Sequence, residues 1–284
     1  MENQAYIAVS NLLHGIAPER STDIKFLFNK YQPKFSVVEE TDSNGMPAFT
    51  LRAGLYTKVE FNHRAMLCFW LGAHVVWEAY SEYAYAVNNG RSFNQERLTF
   101  LLSSFKNALL ADDVTNIEWP KDVLRPGNYG SDNDNPEKIM PAKLATFATG
   151  WALLHEMRHI QKQQEGTSST IGDVASCHAE ELECDSFAAK FILEKTPEYS
   201  RETNYDLHLV QMQRKLGILF GVFTIGLLSR QPKKASATHP SIELRLKTML
   251  SQLKVSENDA VGMIIKLVSL GLEEGGALSV QPFS

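Results

Sequence analysis

Residues 155–159 read His-Glu-Met-Arg-His, an HExxH run. On a helix, side chains four apart lie one above the other, so the imidazoles of His155 and His159 can meet a single ion. Glu156 sits about 100° round the helix from His155, able to reach a water held by that ion without ligating the ion itself. The arrangement suits zinc-assisted hydrolysis of a peptide bond, with Glu156 as general base. Three matching letters arise by chance in a chain of this size at a rate on the order of a few per cent. The elements around the run must therefore decide what it means.

The helix that positions it is predicted to hold Pro141 in its first turn, run to about Gln164 and end near Gly166. Leu144, Ala148, Trp151, His155 and His159 fall on one face of that helix, so the histidines point the way the apolar stripe points, into the protein. A zinc site needs a third protein ligand and an open position for water. Residues 178–193 read as a second helix, with Glu181, Asp185, Ala188 and Ile192 on its inward side. The same periodicity puts Glu180 and Glu183 on the solvated side. Two inward carboxylates need partners, because a buried, unpaired carboxylate is costly. Glu181 is the expected third ligand. Asp185, one turn on, is placed to accept the outward N–H of a ligating histidine, His155, which fixes its tautomer. The segment from Gly166 to Gly172 supplies the turn between two antiparallel helices. Cys177, His178 and Cys184 form a competing group, disfavoured because Cys184 lies about 100° from Asp185 on the helix.

HExxH followed by a helical ExxxD, here Glu181-Leu-Glu-Cys-Asp185, resembles the gluzincin metallopeptidases. Within them the chain looks most like the group written ExxAD, with Cys184 in place of the alanine. That group also carries a Thr-His-Pro…Arg segment, matched by His239, Pro240 and Arg245. The resemblance covers roughly residues 141–250 and leaves out the membrane helices common in that group. It implies one Zn²⁺, with His239 donating to the oxyanion of the reaction, a contribution of about 3 kcal/mol, and Arg245 orienting a carboxylate of the site. A narrower resemblance is to the Lit-like phage-exclusion peptidases, soluble bacterial proteins of similar length with HExxH near the middle. It implies a defence protease; the known member of that group cuts elongation factor Tu after phage signals.

Composition bounds the rest. The 284 residues, 44% hydrophobic and 21% charged, suit an ordinary folded protein. A net charge of −5 without any Lys/Arg block gives nucleic acid no footing. Three cysteines without a CxxC pair, and no secretory signal pattern, suit a reducing, cytoplasmic setting. The apolar runs 66–77 and 216–228 fall short of the roughly 18–20 residues a membrane span needs, and are expected to be buried helices.

Strand-like pieces at 35–38, 48–52 and 56–61, with a turn at Asp42–Gly45, precede helices at 63–87 and 94–112. His74 and Glu78, four apart on the first of these, are expected to pair or to share a half-exposed edge. The stretch Trp119 to Pro141, rich in Pro and Gly with an acidic cluster at Ser131–Asn135, reads as a long loop. An amphipathic stretch from Asp259 to Leu272 is expected to pack on the core. The expected fold is α+β, mainly α: a gluzincin-like helical core with a small sheet. Residues 1–140 are expected to pack on a metallopeptidase core at 141–284. The function expected is a zinc-dependent endopeptidase acting on a protein or peptide substrate. A latent protease that needs an activating partner and a catalytically silent zinc protein are the alternatives.

Overall fold

The structure, a computed structural model, describes residues 2–41, 48–127, 136–170, 172–229 and 231–283. The turn expected at Asp42–Gly45 and the Ser131–Asn135 cluster lie outside those residues. The chain folds as α1 (Glu2–Ile16), α2 (Ser21–Tyr31), β1 (Lys34–Val37), β2 (Leu51–Ala53), β3 (Lys58–Phe61), α3 (His63–Asn89), α4 (Glu96–Leu110), α5 (Pro136–Glu165), α6 (Val174–Leu193), α7 (Thr196–Thr203), α8 (Leu207–Leu228), α9 (Ile242–Gln252) and α10 (Ala260–Glu274). It is mainly helical with one small three-stranded sheet, as the hydrophobic periodicities predict. The sheet order is β1-β3-β2, with β1 parallel and β2 antiparallel to β3.

α5 occupies the centre, against α3, α6 and α8, with α1 and β2 also touching it. It starts at Pro136, so Pro141 lies inside the helix and not in its first turn. Proline at the first helical position gives up an N–H that has no partner there anyway. Pro141, one turn later, removes an N–H that would have bonded back along the helix. α6 likewise begins at Val174, earlier than its apolar stripe suggests, because the Asp173 side chain accepts from the backbone N–H groups of Ala175 and Ser176.

The run 216–228 is the buried middle of α8. Gly221 lets α8 approach α5 closely: a Cβ there would stand 2.7 Å from the Trp151 ring. No helix among the described residues is long and apolar enough to cross a membrane. One continuous hydrophobic core runs from Ala5 in α1 to Val280 beyond α10.

His74 and Glu78 do not pair. Glu78 meets Arg97 of α4 at 3.0 Å, while His74 Nδ1 donates to the Trp70 carbonyl at 2.9 Å. His74 Nε2 is buried without a hydrogen-bond partner among the described residues. Burial pushes the His74 pKa down to about 4, partly offset by the Trp70 hydrogen bond. A base whose folded pKa is depressed stabilises the fold fully above its unfolded pKa of about 6.5 and loses that contribution as pH falls toward the folded value. His74→Gln is therefore expected to flatten the stability profile between pH 6.5 and 4, where wild type should lose about 3 kcal/mol more than the variant. Denaturant titration across that range measures it, and parallel profiles would contradict the assignment.

Candidate active site

α5 and α6 run side by side, and their facing sides gather five titratable groups. His155 Nε2 stands 3.1 Å from His159 Nε2. Glu181 reaches both, with Oε2 3.4 Å from His155 Nε2 and Oε1 3.3 Å from His159 Nε2. The other nitrogen of each ring is already engaged. His155 Nδ1 is 2.8 Å from Asp185 Oδ1, and His159 Nδ1 is 2.7 Å from Glu180 Oε1. A carboxylate can only accept, so each Nδ1 carries a hydrogen, and in the neutral ring each Nε2 then offers a lone pair. Two lone pairs facing each other across 3.1 Å, beside a carboxylate, call for a cation between them.

The donor set fits a metal ion. Ligand atoms of His155, His159 and Glu181 all lie within 4.8 Å of one another. Their separations match the edge of a tetrahedron, about 3.3 Å for bonds of roughly 2.0–2.1 Å. Glu181 Oε2 is buried with no hydrogen-bond partner among the described residues, a polar atom left for a ligand to satisfy. The electrostatics agree. Burial works against a charged His155, but its hydrogen bond to Asp185 and the neighbouring Glu181 carboxylate outweigh it and lift its pKa to about 10. Burial also acts to raise the Glu181 carboxyl, yet both histidines pull it well below the usual carboxylate range. The surroundings favour positive charge at this point, whether proton or metal. A second grouping of His159, Glu180 and Cys184 is equally close. It suits a metal less well: burial and the neighbouring carboxylates push the Cys184 thiol far up, and Glu180 Oε1 is taken by His159.

Glu180 corrects the sequence reading. It is 7% exposed, not on a solvated face. Its Oε2 accepts from the backbone N–H of Ser169, in the segment that turns from α5 into α6. Glu180, Cys184 and Ala188, spaced four apart, form a second buried row beside Glu181 and Asp185. The covered arc of α6 is wider than one apolar stripe. Glu183 is 45% exposed and bridges to Arg158 and Lys162 of α5.

Glu156 faces a partner that no residue pattern points to. The backbone N–H of Ala53, in β2, donates to its Oε2 at 2.6 Å. The register explains why this group is free. Gly54 N–H bonds Lys58 and Asn62 N–H bonds Thr50 across β2 and β3, so alternate residues face β3 and Ala53, next to Gly54, points its N–H off the open edge of the sheet. Gln163 of α5 holds the following turn from both sides, accepting from Tyr56 N–H at 2.7 Å and donating to the Gly54 carbonyl at 3.0 Å. Burial raises the Glu156 pKa, opposed by the two histidines and the Ala53 hydrogen bond.

A family model described as peptidase U49 matches residues 59–265, most of the chain. The chain belongs to the peptidase U49 family. No curated protein and no solved structure matches it. The match starts well before residue 141, so this U49 peptidase shares with its family much of the stretch that the gluzincin resemblance leaves out.

That stretch also helps to build the site of the U49 peptidase. A cavity of about 400 Å³ opens beside His155, Glu156 and Glu181. Its apolar wall comes from Phe49, Leu51, Phe69 and Leu109, with Ile225 and Leu228 of α8. His239 stands at its mouth, with a side chain 58% exposed and Nε2 3.7 Å from Glu181 Oε1. Arg245 is buried. It donates to both oxygens of Asp185 at 2.8 and 2.6 Å, and lies 4.0 Å from Glu181 Oε2. The Ser241 side chain caps α9 by accepting from Leu244 N–H, which sets Arg245 one turn into the helix and facing α6. The structure thus brings together His155, Glu156, His159, Glu181, Asp185, His239 and Arg245. Glu180, the Ala53 N–H and the apolar wall are the parts that sequence reasoning missed.

Proposed function

We propose that this U49 peptidase is a zinc-dependent endopeptidase, with His155, His159 and Glu181 as the metal ligands. The observation that supports this most is the pair of Nε2 atoms, each with its ring's Nδ1 on a carboxylate, converging with an unsatisfied oxygen of Glu181. Zinc in that position supplies a Lewis acid that lowers the pKa of a water toward about 7 and polarises the peptide carbonyl. Glu156 takes the proton of the attacking water and delivers it to the leaving nitrogen. Burial helps, because a carboxylate of raised pKa holds the proton between the two transfers. The Ala53 N–H keeps Glu156 aimed in the meantime. Asp185 and Glu180 fix the tautomers of the two histidines, and Arg245 holds Asp185 in place. His239, at the mouth of the cavity, donates from Nε2 to the oxyanion.

The apolar wall suits a bulky apolar side chain next to the bond that is cut. Membership in the U49 family agrees with the Lit-like resemblance and makes elongation factor Tu the first protein substrate to test. The ligand assignment is checked by metal analysis of purified protein. Wild type is expected to hold about one zinc per chain, and His155→Ala to lose it while staying folded by circular dichroism. Full zinc in that variant would sink the assignment.

A further inference from the structure

We propose that His178 is a positioning residue for His239, acting through Ser236; the inference rests on the role given to His239 above. His178 lies in the first turns of α6, three residues before Glu181 and so on the same side of the helix. Its Nε2 is 2.9 Å from the Ser236 carbonyl, which can only accept, so the ring donates. Ser236 in turn brackets His239. Its N–H donates to the His239 carbonyl at 2.9 Å, and its hydroxyl oxygen accepts from the N–H groups of His239 at 2.8 Å and Thr238 at 3.3 Å.

The result is a closed circuit. α6 holds the loop at His178, the loop turns tightly between Ser236 and His239, and His239 comes back to α6 at Glu181. The Thr238 hydroxyl, 2.8 Å from His239 Nδ1, completes it. With Thr238 donating, Nδ1 is an acceptor and Nε2 carries the hydrogen, the tautomer that an oxyanion donor needs. His239 is more than half exposed and little packing holds it, so its direction depends on this turn. The His178 hydrogen bond is the link between the turn and the helix bearing Glu181. An imidazole placed a fraction of an ångström off would still be present but would no longer meet the developing charge.

The test compares full-length wild type with His178→Ala, His178→Gln, Ser236→Ala, His239→Ala and the His178→Ala/His239→Ala pair. Two readouts are used: amide hydrogen exchange at residues 236–239, and cleavage of a quenched peptide library. His178→Ala is expected to speed exchange in that segment with α5 and α6 unchanged. It is also expected to lower kcat roughly tenfold while KM and metal content hold. Ser236→Ala should behave alike. Glutamine, whose side-chain N–H reaches about as far as Nε2–H, should restore both readouts. The double variant should be no slower than His239→Ala alone, which a merely structural role would not produce. Unchanged exchange, unchanged kcat, failure of glutamine to rescue, or the same fractional loss in the His239→Ala background would each overturn the proposal. If wild type cuts no peptide, the peptidase reading of the site fails separately, and the exchange comparison still decides whether His178 holds the turn.

Discussion

Glu156→Gln is expected to slow peptide hydrolysis by between about 10² and 10⁴-fold and to leave metal binding and stability close to wild type. General acid–base catalysis contributes on that scale, and glutamine removes only the proton acceptor. Its shape is the same, and its carbonyl oxygen can still accept from the Ala53 N–H that now holds the carboxylate at 2.6 Å. The variant also loses a buried, ionisable group without leaving a hole. Initial rates on a quenched peptide library, with zinc content measured on the same sample, give the result. Activity within tenfold of wild type would mean that another group moves the proton.

The second large effect is on stability. Arg245→Ala is expected to cost roughly 3–5 kcal/mol, because it leaves Asp185 buried without its cation. Asp185 is 2% exposed. Burial acts to raise its pKa, but Arg245 and His155 hold it below the usual carboxylate range. Both of its oxygens depend on the guanidinium, and one of them also serves His155. A loss of that size lowers the melting temperature by about 5–8 °C. Adding Asp185→Asn to Arg245→Ala should recover part of it, since the stranded charge disappears with its partner. Scanning calorimetry of the two variants separates the outcomes. Equal melting temperatures for Arg245→Ala and wild type would show that water, not arginine, solvates Asp185.

These two residues also show how far the sequence could be read. Glu156 and Asp185 are legible because helix periodicity is local: once His155 points inward, Glu156 and His159 follow from angles of about 100° per residue, and the stripe of Ala188 and Ile192 places Glu181 and Asp185 on the inward side of α6 in the same way. The fold class followed from the same rule applied along the chain. Glu180 shows the rule's limit. Periodicity finds the centre of a buried face but not its width, and the width here is set by the backbone of Ser169 folding over α6. Ala53 lies further out of reach. Its role comes from a backbone N–H, which no residue type advertises, at an open strand edge that meets a helix residue 103 positions further along the chain. His74 failed for a related reason: spacing placed Glu78 near it, but Arg97, from another helix, took the carboxylate.

Peptide cleavage here is proposed to depend on a metal held by His155, His159 and Glu181. The most direct test is mass-spectrometric mapping of new peptide termini after the purified protein is mixed with a proteome-derived peptide library. Three samples suffice: untreated, chelator-stripped, and stripped protein given back one equivalent of zinc. Termini are expected in the first, none in the second and the same set in the third, all absent with Glu156→Gln. The same termini in the stripped sample, or with Glu156→Gln, would contradict it.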